Sequence, residues 1–190
     1  MKIVITEQQL KFILNENKLD HFYDRNDINP DDMQYLGSGE YGEAYSIGND
    51  RVLKITTSKS EFKIANEIKN SDSSMFDCFA EIYDTEEVDG KMYIVMEELY
   101  QDSEIDSLYD QLSVLLEDQS LPIQYVHYLD LDDVEVSDDL ETFINYIEDI
   151  NHGYRRLGIE ASDIQPDNLG YSKDGVLKAF DIDDKNRKSY

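Results

Sequence analysis

The chain has 190 residues and a formal net charge of −26 at pH 7, from 43 acidic and 17 basic residues. Such a charge argues against binding to a nucleic-acid backbone or an anionic membrane and favours basic or metal-bearing partners. A single cysteine, Cys78, excludes a disulfide within the chain and a multi-cysteine zinc site. No signal-peptide stretch and no apolar run of the roughly 20 residues that span a bilayer are found, so we expect a cytoplasmic protein.

Residues 1–30 are predicted to form an extension that precedes the main domain. Lys2–Ile5 has the pattern of a short strand, and Thr6 with Gln9 forms a capping box at the start of a helix. The apolar stripe of that helix comprises Leu10, Ile13 and Leu14. The stretch 15–30 is rich in Asn and Asp and is predicted to be a linker, with a helical turn within it as an open alternative.

Residues 31–99 are predicted to form an antiparallel sheet with one main helix. Three short β-like runs come first, separated by glycine-containing turns, at 34–36, 44–47 and 52–55. A helix capped by Ser58 or Ser60 runs to about Asn70. Two further strands follow, at 79–86 and 92–98. The predicted order is three strands, a helix and two strands.

Residues 100–190 are predicted to be mainly helical. Apolar residues at helical spacing indicate one helix around 105–115 and a longer one over 140–157, with Asp138 and Glu141 as its capping box. Between them, residues 121–136 alternate between apolar and acidic, which predicts a strand or an ordered loop without an assigned role. A β-hairpin is predicted around the turn at 173–175.

Three polar residues near this hairpin have the spacing of a magnesium-phosphate site. Asn168 follows Asp163 by five positions, and Asp181 follows Asn168 by thirteen. That second interval fits a short hairpin that returns the chain to its starting point, so we expect Asn168 and Asp181 to lie close together.

The glycine-rich stretch 37–42 lies between two predicted strands, whereas the glycine motif of a dinucleotide site joins a strand to a helix. Its glycines would let backbone amides approach phosphates, with Tyr41 at the tip as a lid, although an ordinary hairpin turn has similar glycines.

Lys54 needs an anionic partner if it points inward from its strand. Glu61 or Glu67 could supply it, and the packing face of the helix favours Glu61.

In this order the motifs resemble those of the protein-kinase-like superfamily, from about Gln34 to Asp183. The resemblance implies an α+β fold with an antiparallel N-lobe over 31–99 and a reduced, mainly helical C-lobe over 100–190. It implies an ATP- and Mg²⁺-dependent phosphotransferase that acts on a hydroxyl of a protein or small molecule. The residues implied to bind ATP are Gly37, Ser38, Gly39, Tyr41, Gly42, Lys54 with its partner Glu61, the gatekeeper Met96, and the backbones of Glu97 and Leu99 as donor and acceptor. Asp163 is implied as the catalytic aspartate, and the implied metal ligands are Asn168, Asp181 and Asp183.

The sequence departs from the family in ways that leave its activity open. Ala161 and Ser162 replace the usual His and Arg, and Gln165 replaces a lysine that supports the γ-phosphate. Asp183 replaces a glycine, as in small-molecule phosphotransferases where a second acidic residue aids the metal. The sequence ends seven residues after Asp183, before the family's activation segment and peptide-docking helices.

Two alternatives to an active enzyme therefore remain. One is a pseudokinase-like binding module whose acidic surface engages a basic protein partner, and the other is an acidic mimic that binds a basic surface.

A kinase-like chain this compact suggests a streamlined genome such as a phage's, in which case the protein would act in the host cytoplasm.

Overall fold

The computed structural model describes residues 6–132, 134–161 and 164–182. Within these ranges the chain is α+β, as predicted, with four α-helices, a five-stranded antiparallel sheet and a separate two-stranded hairpin. The strand predicted at Lys2–Ile5 lies outside the described residues, as do Ser162, Asp163 and Asp183.

The helices are α1 (Glu7–Arg25), α2 (Lys59–Asn70), α3 (Ser103–Asp118) and α4 (Asp138–Arg156). The large sheet has the order β1-β2-β3-β5-β4 and comprises β1 (Gln34–Ser38), β2 (Gly42–Ser46), β3 (Arg51–Thr56), β4 (Ile82–Val88) and β5 (Lys91–Glu97). The hairpin consists of β6 (Leu169–Tyr171) and β7 (Leu177–Ala179). The predicted succession of three strands, a helix and two strands is confirmed. None of the helices in the described ranges has both the length and the apolar character required to cross a membrane.

The large sheet separates two hydrophobic clusters because successive side chains of a strand point to opposite faces. Leu53 of β3 lies in a cluster with Phe22 of α1. Ile94 of β5 lies in the cluster on the other face, with Ala65 of α2. Lys54 follows Leu53 directly, so the alternation places it on the α2 face of the sheet.

Helix α2 begins after Ser58, one of the two predicted caps. Ser58 Oγ accepts a hydrogen bond from the Glu61 N–H at 3.2 Å. Glu61 is buried on the same helix as Ile64 and Ala65. The packing face of α2 therefore carries a carboxylate toward the sheet as well as apolar side chains.

Helix α1 is longer than predicted. It continues through residues 15–25, so the prediction of a linker is wrong for this stretch. The Phe22 side chain has no exposed surface, and its ring centroid lies 5.8 Å from that of Tyr93 on β5. The Arg25 guanidinium lies 5.0 Å from the Phe22 ring centroid. Packing of Phe22 on the sheet stabilises a helical segment that its Asn and Asp residues disfavour.

The second hydrophobic core lies among α3, α4 and the β6–β7 hairpin. Its fully buried members include Leu112, Ile147, Ile150 and Leu169. Helix α4 is capped by Ser137, whose Oγ accepts from the Leu140 N–H at 3.2 Å. The capping box predicted at Asp138 and Glu141 is therefore wrong, because the cap lies one residue earlier.

The segment 121–136 is an irregular connection that contains a 3₁₀ helix at Ile123–Tyr128. Of its two predicted forms, the described residues take the ordered loop and form no strand. Asn151 Nδ2 of α4 donates to the Ile123 carbonyl at 3.1 Å, and Gln119 Nε2 donates to the Asp130 carbonyl at 2.7 Å. Side chains of α4 and of the residue after α3 thus satisfy backbone groups that a strand would satisfy in a sheet.

Candidate functional site

A cleft of about 740 Å³ lies between the large sheet and the C-terminal core. Its volume falls within the range of about 300–1,000 Å³ that is typical of small-molecule sites. From the first three strands and the turn between β1 and β2 it is lined by Gly37, Ser38, Gly39, Gly42 and Lys54. From β5 onward it is lined by Met96, Glu97, Leu99, Asn168 and Asp181. Candidate residues from motifs far apart in the chain therefore share one surface.

Lys54 forms ion pairs with two carboxylates, Glu61 of α2 and Asp181 after β7. Glu61 is the partner that the helix periodicity favoured over Glu67. The Lys54 side chain is 16% exposed, so it does not point into solvent. Burial lowers the pKa of Lys54, but Glu61 and Asp181 reverse this effect and raise the pKa above its ordinary value. Lys54 therefore stays charged at neutral pH.

Glu61 is the buried member of this cluster, with 7% of its surface exposed. Burial raises the pKa of Glu61, and the Lys54 ammonium opposes that rise. A buried carboxylate without a partner would be strongly destabilising, so Glu61 and Lys54 depend on each other. The pair fixes the lysine in the cleft.

The glycine-rich turn joins β1 to β2, and the Gly39 N–H donates to the Gly42 carbonyl at 2.9 Å. Gly42 is required by packing, because a Cβ there would lie 2.2 Å from the Ile55 carbonyl oxygen. A Cβ at Gly39 would meet nothing within 4 Å, so packing places no such demand on that glycine. Tyr41 at the tip is 45% exposed, and its carbonyl accepts from the Thr57 N–H at 2.8 Å. This bond ties the tip of the turn to the end of β3.

The segment after β5 connects the sheet to the C-terminal core along the cleft. Met96, which precedes it, is buried. The Glu97 N–H donates to the Glu81 carbonyl at 2.8 Å, so this donor is already engaged within the protein. In the described part of the chain, neither the N–H nor the carbonyl of Leu99 makes a hydrogen bond. Gly170 lets the hairpin approach, since a Cβ there would lie 2.8 Å from Leu99 Cβ.

Asn168 and Asp181 lie at the two ends of the β6–β7 hairpin. Leu169 pairs with Ala179, and the Phe180 N–H donates to the Asn168 carbonyl at 2.9 Å. The hairpin therefore returns the chain in the way that its turn sequence predicted. Asp181 has a φ of +56°, in the left-handed region that aspartate adopts more readily than most residues other than glycine.

The cleft carries far more negative than positive charge. Lys54 is the single basic residue among its described lining residues. The carboxylates that line it are Glu43, Glu97, Glu98, Asp167 and Asp181. An anion as highly charged as a nucleotide triphosphate would be repelled from this surface unless cations accompanied it.

The described residues contain no group of three or more His, Cys, Asp or Glu side chains that could hold a metal ion. Mg²⁺ is commonly held by one or two carboxylates, with water and phosphate oxygens completing the shell. The Asn168 amide and the Asp181 carboxylate, which also pairs with Lys54, carry oxygen atoms of the kind that Mg²⁺ binds, and both residues line the cleft. They fit a Mg²⁺ ion that arrives with a phosphate ligand better than one held by protein alone.

Sequence motifs missed several polar residues of the cleft, including Glu43, Gln101 and Asp167. Gln101 Nε2 donates to the Asp167 carbonyl at 3.0 Å and joins the segment after β5 to the turn before β6. Asp167 lies inside the stretch 163–168 but was given no role there, and Glu43 and Gln101 belong to no motif, because their proximity results from the fold.

Comparison with protein-family models finds no match to this sequence, and a search of curated proteins finds no relative. The assignment of a function consequently depends on the geometry of the cleft.

Proposed function

We propose that the chain is an ATP- and Mg²⁺-dependent phosphotransferase of protein-kinase-like architecture, with a hydroxyl of a protein or small molecule as acceptor. The observation that carries the proposal is Lys54, charged and only partly exposed between Glu61 and Asp181 in a ligand-sized cleft. The antiparallel sheet with α2 on one face, followed by a mainly helical region, supports the architecture.

Lys54 has the capacity to bind a phosphate while it keeps both carboxylate partners. A lysine ammonium carries three N–H donors. Glu61 and Asp181 account for two of them, which leaves one for a phosphate oxygen. Because positioning and charge neutralisation supply most of the catalysis in phosphoryl transfer, a lysine fixed in this way is the part of the site that the chemistry most requires.

Backbone groups would hold the two ends of the nucleotide. Amides of the turn at 37–42 can donate to the phosphates, and the N–H and carbonyl of Leu99 can pair with the edge of a base. A Mg²⁺ ion bound with the nucleotide would neutralise phosphate charge, with Asn168 and Asp181 as its protein ligands. Asp163 would accept the proton of the acceptor hydroxyl, and Asp183 would support the metal.

The charge of the cleft favours slow turnover. Gln165 carries no charge where related kinases use a lysine, and Lys54 is the single cation on the described lining. Positive groups aimed at the transferring phosphoryl group usually supply a large share of transition-state stabilisation. We therefore expect binding of MgATP to be more readily detected than catalysis.

Thermal melting with and without MgATP tests the binding step. At about 100 times its Kd a ligand adds roughly 2.7 kcal/mol to the unfolding free energy, which corresponds to a Tm increase of about 5–11 °C for a chain of this size. Lys54→Met should abolish the increase. Lys173→Met is the matched control, because Lys173 is 74% exposed and lies outside the cleft. A wild-type chain whose Tm does not respond to saturating MgATP would rule out the proposal.

Release or transfer of the γ-phosphate tests the catalytic step. Asp163→Asn should abolish turnover and leave the MgATP-induced Tm increase in place. If the wild-type chain binds MgATP but neither hydrolyses it nor transfers phosphate to any acceptor, the enzyme is excluded and a nucleotide-binding module remains.

The second candidate function is that of a binding module for a basic protein. Tyr125 and Tyr128 are 46% and 67% exposed, and the rings of His127 and Tyr128 lie 4.0 Å apart. No lysine or arginine occurs between Lys91 and Arg155, so these rings lie in an acidic part of the sequence. One arginine is brought to them by the fold, since Arg155 Nη2 lies 3.0 Å from His127 Nδ1. Exposed tyrosines in an acidic setting suit arginine side chains, which stack on aromatic rings and pair with carboxylates.

A fluorescent hexa-arginine peptide, with hexa-glutamate as the control peptide, tests this second function. We expect salt-sensitive binding of hexa-arginine that the double variant Tyr125→Ala and Tyr128→Ala weakens. Tyr35→Ala, at an exposed tyrosine on β1, is the control variant. Equal binding by the double variant and the wild-type chain would exclude the tyrosines as the docking surface.

A further inference from the structure

Asp84 of β4 contacts both helices that pack on the large sheet. Its Oδ2 accepts from Arg25 Nε at the end of α1 at 2.6 Å and from Asn26 Nδ2 at 2.8 Å. Its Oδ1 accepts from Lys69 Nζ of α2 at 2.6 Å. Burial raises the pKa of Asp84, but the hydrogen bonds from Arg25, Lys69 and Asn26 outweigh burial and hold the pKa well below its usual range. Asp84 is therefore an anion that joins α1, β4 and α2.

Helix α2 extends from Asp84 to Lys54, with which its residue Glu61 forms an ion pair and which lines the cleft. Lys69 lies in its last turn and Glu61 in its first turn. A second bond between the same elements runs from Thr85 Oγ1 to Asn66 Oδ1 at 2.8 Å. Because α2 is a continuous helix, its contacts with β4 at one end determine where the Glu61 carboxylate lies at the other.

Glu86 offers an internal comparison, because it anchors α1 alone. Its Oε1 lies 2.7 Å from Lys18 Nζ, and its Oε2 lies 3.0 Å from Arg25 Nη2. Among the described residues, Glu86 has no ion pair or hydrogen bond with a side chain of α2. Two carboxylates on one strand thus differ in whether they reach the helix that carries Glu61.

We propose that Asp84 is a positioning residue that holds α2 against β4 through Lys69, keeps Glu61 beside Lys54 and thereby sets the affinity for MgATP. The inference rests on the proposed function, since it requires MgATP to bind at Lys54. Asp84 does not line the cleft. Its influence on the nucleotide passes through α2.

The test is calorimetric titration of MgATP into the wild-type chain and three variants, with the unfolding free energy of each measured without nucleotide. Asp84→Asn and Lys69→Met should weaken MgATP binding by about fivefold or more, the lower end of typical coupling between sites. Glu86→Gln should change the affinity by less than about twofold, even where it lowers stability. Lys69→Met removes a partly exposed ammonium and keeps the test available if Asp84→Asn folds poorly.

A double-mutant cycle separates positioning from a general loss of structure. In a chain that carries Glu61→Gln, Asp84→Asn should no longer change the MgATP affinity, because the group that it positions is absent. An equal loss of affinity with and without Glu61 would refute the positioning role.

The possible failures are distinct. Wild-type binding that Asp84→Asn and Lys69→Met leave unchanged would overturn the role of Asp84 and leave the proposed function intact. A wild-type chain that does not bind MgATP would overturn both.

Discussion

Phe22→Ala tests whether α1 is an integral part of the folded domain. Phe22 is fully buried, and its ring contacts Tyr93 and the Arg25 guanidinium. Truncation of a buried phenylalanine to alanine costs roughly 3–5 kcal/mol, a large fraction of the 5–15 kcal/mol by which domains are stable. For a chain of this length the loss corresponds to a decrease in Tm of about 6–20 °C.

Urea denaturation followed by far-ultraviolet circular dichroism measures this loss. Leu14→Ala is the control on the same helix, because Leu14 is 58% exposed and its truncation should cost about 0.5 kcal/mol or less. A loss of less than about 1 kcal/mol in Phe22→Ala, or an equal loss in both variants, would mean that α1 contributes little to the fold.

Three further predictions concern the turn, the metal and pH. Gly42→Ala should lower the unfolding free energy by more than about 1 kcal/mol because its Cβ would meet the Ile55 carbonyl, and Gly39→Ala should change it by less than about 0.5 kcal/mol in the same denaturation assay. EDTA should abolish the ATP-induced increase in Tm, because the carboxylates of the cleft repel nucleotide without Mg²⁺, and an increase that persists in EDTA would contradict this. The lowered pKa of Asp84 means that its charged form stabilises the fold above the ordinary value of about 3.9 and that this stabilisation is lost as the pH falls toward the folded-state pKa. The difference in unfolding free energy between the wild-type chain and Asp84→Asn should therefore be constant from about pH 6 to 8 and shrink below about pH 4, and a constant difference down to pH 3 would contradict the assignment.

Much of the fold follows from local sequence patterns. The sequence predicted the antiparallel strands and α2 from apolar periodicity and a serine cap, and the β6–β7 hairpin from its turn residues. Each of these signals acts over only a few positions of the chain. The Lys54–Glu61 pair could be favoured from the sequence for a similar reason. Glu61 follows Lys54 by only seven positions and lies on the packing face of α2.

The length of α1 could not be predicted in this way. Residues 15–25 have the composition of a linker, and their helical form depends on the burial of Phe22 against Tyr93, which lies far along the chain. Intrinsic propensity is a weak guide wherever such tertiary contacts exist.

The segment 121–136 illustrates a second limit of sequence patterns. Its alternation of apolar and acidic residues is compatible with a strand. The described residues form an irregular connection because Gln119 and Asn151 satisfy its backbone and its apolar residues pack on the helical core. A period of two in the sequence does not distinguish these cases.

The polar contacts of the site show a third limit. Asp181 was predicted as a metal ligand from its spacing, but its ion pair with Lys54, 127 positions earlier, follows from the fold. The same holds for Asp84, which lies in an ordinary strand pattern and joins two helices that no sequence motif relates.

A crystal structure of the wild-type chain with Mg²⁺ and a non-hydrolysable ATP analogue would show directly whether the cleft binds the nucleotide. We expect phosphates within hydrogen-bond distance of Lys54 and the turn at 37–42, the base beside Leu99, and Mg²⁺ on Asn168 and Asp181. An analogue that binds elsewhere, or a cleft that contains no nucleotide at saturating concentration, would contradict this expectation.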